Sequence, residues 1–121
     1  MYQVARPFII LSMWLEIASA ANIFVSHYQG TVQSLTLTED GGNYTLTQNS
    51  SLTLGGQPSW ITFDSSSRTI YAADETGYGS AFVWAVSAAA DGSLSQIGKA
   101  SAPLGSVHNT LYGNGYLAQA H

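Results

Sequence analysis

Pro58-Ser59-Trp60-Ile61-Thr62-Phe63-Asp64, then Ser65-Ser66-Ser67-Arg68, then Thr69-Ile70-Tyr71-Ala72-Ala73-Asp74-Glu75 is the stretch that decides the fold. Two short runs rich in β-branched and aromatic residues flank a polar turn, which reads as a β-hairpin. The second run has counterparts on both sides. Ile23-Phe24-Val25-Ser26-His27-Tyr28 aligns with Ile70-Tyr71-Ala72-Ala73-Asp74-Glu75 at an offset of 47 residues, and the same step reaches Leu117-Ala118-Gln119-Ala120-His121. His27, Asp74 and His121 are thus equivalent positions of one repeat.

Between these anchor strands the order of events recurs. A bend with glycine (Gly30; Gly77 and Gly79) leads to a strand, a turn (Asp40-Gly41-Gly42; Asp91-Gly92), a strand opening on leucine (Leu46; Leu94), and a strand with an aromatic end (Phe63; Tyr112). Four strands in about 47 residues is the size of a propeller blade. Strands are expected over residues 23–27, 32–38, 44–48, 59–63, 69–74, 81–87, 94–100, 107–112 and 116–120. Residues 81–87 are apolar on both faces, as in a strand covered on both sides. Their alanines, continuing through Ala90, would also suit a helix, but Gly79 and Gly92 bracket a run rich in valine and aromatics, which favours a strand.

Composition narrows the function. Only 8% of the 121 residues are charged, three basic against seven acidic, so the chain has no basic footprint for nucleic acid or anionic lipid. With 45% apolar and 12% aromatic residues there is material for a core, and the absence of cysteine excludes thiolate metal sites and thiol nucleophiles. Arg6, an apolar stretch and Ala18-Ser19-Ala20 make residues 1–20 read as a signal peptide; the apolar run is too short for a membrane span, and Glu16 is out of keeping with a leader. An N-terminal helix of the mature chain is the other reading. Asn43-Tyr44-Thr45 and Asn49-Ser50-Ser51 are N-glycosylation sequons and accord with a secreted protein.

The hairpin at 58–75 resembles the "PSxLxF, turn with R, LYxxNE" signature of the lactonase family of seven-bladed β-propellers, which includes 6-phosphogluconolactonase and fungal carboxy-cis,cis-muconate cyclases. Ala88-Ala89-Ala90-Asp91-Gly92-Ser93-Leu94-Ser95-Gln96-Ile97-Gly98 is similar to that family's "sADGsLtqlg" hairpin, and Leu117-Ala118-Gln119-Ala120-His121 to its "alAvAHY" strand. The resemblance covers residues 22–121 and implies an all-β propeller of four-stranded blades. About two blades and the start of a third are expected here, as an N-terminal part of a longer propeller whose later "HxHS" and "DLGxD" segments carry much of the family's proposed site. The resemblance implies a small-molecule lactone or carboxylic acid as ligand. A second reading is a non-catalytic extracellular module, because Thr69-Ile70-Tyr71-Ala72-Ala73-Asp74 also resembles the "YVTN" repeats of surface-layer proteins.

Opening or closing a lactone needs a base, an acid for the leaving oxygen and donors for the oxyanion. The resemblance points to Glu75 and His121 as catalytic positions, with Glu75 orienting water or substrate and His121 moving the proton. His27, Asp74 and His108 are candidates for binding substrate, with strand-capping and blade-junction roles as the alternatives. Asp64 and Asp91 read as turn residues. No Gly-x-Ser-x-Gly elbow supports a serine nucleophile, no ligand spacing argues for a metal, and nothing calls for a cofactor. Arg6 apart, Arg68 and Lys99 are the only basic side chains, too few in this portion for a phosphorylated sugar acid. Trp60 and Trp84 are expected to pack blades together. Two blades leave both end faces open, so the chain alone is expected to associate, or to need further blades, and to lack turnover.

Overall fold

The computed structural model describes residues 19–121; the leader expected at residues 1–20 lies outside it as far as residue 18. Nine strands follow one another: β1 (Ser19–His27), β2 (Thr31–Asp40), β3 (Asn43–Thr53), β4 (Pro58–Asp64), β5 (Thr69–Asp74), β6 (Ala81–Ala88), β7 (Leu94–Ala102), β8 (His108–Tyr112) and β9 (Tyr116–Ala120). They form three antiparallel sheets: I (β1-β2-β3), II (β4-β5-β6-β7) and III (β8-β9). Among the described residues there is no helix, and the alanine-rich run is the strand β6.

The repeat is real, but its anchor strands take different places in their sheets: β1 is the edge of sheet I, whereas β5 and β9 follow β4 and β8. In sheet II the strand β4 is an edge that touches β1 on one side and β8 on the other. The 47-residue step also slips. Asp64 pairs with Thr69 across four turn residues, whereas Tyr112 pairs with Tyr116 across three, so β8 is displaced by one residue relative to β4. A one-residue slip exchanges the two faces of a strand. Trp60 is accordingly matched by His108 rather than Val107.

Two features fix the β4–β5 hairpin. The Asp64 carboxylate accepts hydrogen bonds from the Ser67 hydroxyl (2.7 Å), the Ser66 hydroxyl (2.7 Å) and the Ser66 N–H (2.9 Å). Arg68 adopts φ 52°, and its side chain bridges to the next turn, Nε donating to Ala88 O (2.7 Å) and a terminal nitrogen to Ala89 O (2.9 Å). The donated bonds, Ser67 first, hold the Asp64 pKa down at about 2. A folded-state pKa below the unfolded one stabilises above the unfolded value, and that contribution fades as pH falls toward 2. The Ser67→Ala variant is expected to raise the Asp64 pKa and move the onset of acid unfolding to higher pH. Carboxyl NMR titration checks this, and an unmoved pKa contradicts it.

The core lies between sheets I and II. Ile70, Ala72, Trp84, Val86 and Ala88 are buried beneath Val32, with Phe24, Leu52 and Leu54 closing over them. Phe24 and Phe63 meet at 5.1 Å between ring centroids. Each large side chain removed from water here contributes about 1.5–3 kcal/mol. Sheet III covers only part of the opposite face of sheet II, where Thr62 Oγ1 donates to Asn109 O (2.8 Å) and Asn109 Nδ2 to Tyr71 O (3.2 Å). Beyond β9 a hollow of about 340 Å³ remains over Tyr71, Val83, Ala85, Gly98 and Leu117. As expected, Trp84 packs sheet against sheet; Trp60 remains 42% exposed and bridges to sheet III through His108.

Candidate functional site

β5 and β9 end where β4 and β8 begin, and cross-sheet bonds bring the sheets together at that end: Tyr28, just after β1, reaches Glu75, and the N–H of Ser106, just before β8, reaches Asp74 O. His27, Asp74, Glu75, His108 and His121 therefore lie along one rim.

Asp74 is fully buried. Its Oδ1 accepts from the N–H groups of Gln57 (2.9 Å) and Thr76 (3.1 Å), and its Oδ2 from the N–H of Phe82 (3.2 Å). Its backbone carbonyl accepts from Ser106 N (3.1 Å), the residue leading into sheet III. One carboxylate thus ties the starts of β4 and β6 to the end of β5. Gly56 runs at φ +60° so close that a Cβ would stand 2.6 Å from Oδ2, leaving no room for a side chain. Asp74 is the organising post of the rim, with both oxygens taken up by backbone.

Glu75 is turned outward. Its N–H donates to Gln57 O (3.0 Å), and its Oε2 accepts the phenolic proton of Tyr28 at 2.5 Å. The two residues are 47 apart, so the same repeat position in neighbouring sheets meets itself across the boundary. The bond to Glu75 raises the Tyr28 pKa above its usual value, with desolvation and the charge of Glu75 adding to it. Tyr28 was absent from the sequence candidates, yet the 47-residue step from Glu75 leads to it.

The histidines differ in their settings. His27 is exposed, and its Nδ1 accepts from Gln29 N (3.1 Å) within its own turn. His108 lies against the indole of Trp60, ring centroids 4.3 Å apart. His121 Nδ1 stands 3.0 Å from Ser106 Oγ, which itself donates to Pro103 O (3.1 Å). With its proton on Pro103 O, the serine is an acceptor for the Nδ1–H tautomer of His121, in which Nε2 is the ring nitrogen that this contact leaves free. Ser106 is the second residue that sequence reasoning missed. The rim brings Tyr28 to Glu75 and Ser106 to His121, but no direct contact joins Glu75 to His121. Among the described residues no group of three or more His, Cys, Asp or Glu side chains could hold a metal ion.

The opposite rim carries turns. Asp91 accepts from Ser93 N (2.9 Å) and Ser93 Oγ (2.7 Å), bonds that lower its pKa, and Arg68 also sits there. The sequon residue Asn43 opens β3 at the exposed tip of the β2–β3 hairpin. Asn49 is engaged otherwise: its Nδ2 donates to Thr36 Oγ1 (2.5 Å) and rests so close to Gly92 that a Cβ there would stand 2.7 Å away.

The family model described as "Lactonase, 7-bladed beta-propeller" matches residues 22–121. No curated protein and no solved structure matches the chain.

Proposed function

The chain belongs to the lactonase family of seven-bladed β-propellers, and from that premise we propose that the rim at the ends of β1, β5 and β9 is one wall of a site that binds a cyclic ester of a sugar acid or muconate-type acid. The observation that carries the reading is the Tyr28–Glu75 pair, an outward carboxylate held in place by the neighbouring sheet. Glu75 orients the attacking water, or the hydroxyl of the open acid, through the oxygen that Tyr28 does not hold. The Nε2 of His121 takes the proton released as oxygen attacks the carbonyl carbon. It returns that proton to the ring oxygen as the C–O bond breaks, and lactonisation runs the same steps in reverse. Arg68 lies on the far rim, so an uncharged or carboxylate-bearing ring suits the wall better than a phosphorylated one. Export, with a glycan at Asn43, belongs to the same reading.

Three sheets with open outer faces do not surround a ligand, whereas seven do. The 121-residue chain alone is therefore expected to hydrolyse no δ-lactone above the buffer rate in a pH-stat, and to bind the lactone and its hydroxy acid weakly. NMR titration should show saturable shifts at Tyr28, Glu75 and His121 that vanish in Glu75→Gln. Turnover by the monomer contradicts the ring requirement, and the absence of saturable shifts overturns the site. Binding without hydrolysis in a closed ring favours a non-catalytic module.

A further inference from the structure

Glu75 and His121 supply a carboxylate to orient water and a nitrogen to carry the proton, but neither, at rest, offers a donor to the oxygen that turns negative as the carbonyl is attacked. His27 does. The chain after β1 turns back within four residues, Gly30 N donating to His27 O (2.9 Å). Gly30 runs at φ 85° against the β3–β4 connection, where a Cβ on it would stand 3.1 Å from Gly55 Cα, and its carbonyl accepts from Leu54 N (2.8 Å) and Gly55 N (3.2 Å). The turn is thereby fastened at its base.

Within it the N–H of Gln29 donates to His27 Nδ1 (3.1 Å). A backbone N–H can only donate, so Nδ1 holds a lone pair and the proton of the neutral ring sits on Nε2. His27 is exposed, which opens that Nε2–H to a ligand. The next residue of the same turn is Tyr28, whose phenol holds Glu75. His27 and His121, equivalent in the repeat, thus complement each other. Gln29 makes the first a donor at Nε2, whereas Ser106 accepts from the Nδ1–H form of the second, whose Nε2 is then the acceptor. Every contact that sets the His27 donor lies within sheets I and II and the connection between them.

We propose that His27 is the oxyanion donor of this wall, a role that rests on the lactone reading of the rim. As the oxygen oriented by Glu75 attacks the carbonyl carbon, the π electrons of C=O pass to the carbonyl oxygen, and His27 Nε2–H hydrogen-bonds to that oxygen without giving up its proton. When the bond to the ring oxygen breaks, those electrons return to C=O and the ring oxygen leaves with the proton from His121. The turn holds the imidazole before a ligand arrives, so the donor needs no reorientation at the moment of reaction.

Long-range proton–nitrogen NMR of the wild-type chain should show the His27 ring as the Nε2–H tautomer. Titration with δ-valerolactone, isotope-labelled at its carbonyl carbon, should move that carbon resonance downfield alongside the shifts at Tyr28 and Glu75. His27→Phe, whose fold circular dichroism checks, should abolish the downfield move and weaken lactone binding about fivefold, the worth of one neutral hydrogen bond, while saturable shifts at Tyr28 and Glu75 persist. Tetrahydropyran, the same ring without a carbonyl, should bind both chains equally, which a merely structural loss would not allow. An Nδ1–H tautomer at His27, a carbonyl resonance that moves as far in His27→Phe, or a parallel loss of tetrahydropyran binding overturns the proposal and leaves the lactone site standing. The absence of lactone shifts at Tyr28 and Glu75 removes both.

Discussion

Trp84→Ala is expected to leave the chain without a cooperative unfolding transition. Trp84 is 2% exposed at the centre of the core and packs among Ile70, Val86 and Val32. Truncation of a buried tryptophan costs about 3–5 kcal/mol through lost transfer energy and the cavity left behind. Small domains have only about 5–15 kcal/mol in all, and this one has its core on one side of a single fully formed sheet. Urea titration followed by fluorescence of the remaining tryptophans, Trp14 and Trp60, and by far-ultraviolet circular dichroism, reads the outcome. A variant whose midpoint falls by less than a third would show that the core extends well beyond the sheet I–II contact. Trp84→Phe keeps most of the volume and should retain the transition at a lower midpoint.

The Asp74→Ala change should be nearly as severe, for a different reason. Three backbone N–H groups lose their acceptor at once, and a buried donor left unpaired costs about 1–3 kcal/mol. Water entering the space reduces the sum, so a loss of about 3 kcal/mol is expected. The Asn variant separates hydrogen bonding from volume. Its carbonyl can replace Oδ1 toward Gln57 and Thr76, but its NH₂ would face the N–H of Phe82, donor against donor. Asp74→Asn should therefore fall between wild type and alanine in urea unfolding. Wild-type stability in Asn would show that the Phe82 bond contributes little.

These two residues also mark what the sequence disclosed and what it withheld. Trp84 was legible as a packing residue, because β6 is an apolar run rich in valine and aromatics and bracketed by glycines. All nine strands were legible for the same reason, since β-branched and aromatic runs stand between turn residues. Asp74 was legible only as a position. Its spacing from His27 and His121 suggested a shared role, but Asp74 is turned inward onto three amides while the two histidines stay exposed. A repeat transmits backbone geometry, and each side chain then takes whatever partner its own loop supplies. The longer β5–β6 connection brings the Phe82 N–H to Asp74, whereas the tight turn after β1 gives His27 only Gln29.

Where a unit begins was not legible, because periodicity fixes the length of a unit but not its start. Sheet pairing settled that, by joining β4 to β5 within sheet II. Tyr28 was overlooked because tyrosine and glutamate look unrelated as repeat equivalents, and only the fold shows that equivalent rim positions touch across a boundary. Ser106 is a small residue in a loop and left no signal in composition or period.

Sheet II is the sole four-stranded sheet among the described residues, flanked by sheets of three and two strands, and that asymmetry should be written in hydrogen-exchange times. The amides of β5 and β6 are paired on both sides and should open only with global unfolding, whereas the β8–β9 hairpin can peel away through a local fluctuation. Glu75 is anchored to the slow part and His121 rides on the fast one. The group proposed to orient water and the group proposed to move the proton would then be co-present only for the fraction of time that the hairpin stays docked. Anything that extends that dwell, such as a strand laid along the free edge of β9, would tune the site from a distance without touching either residue.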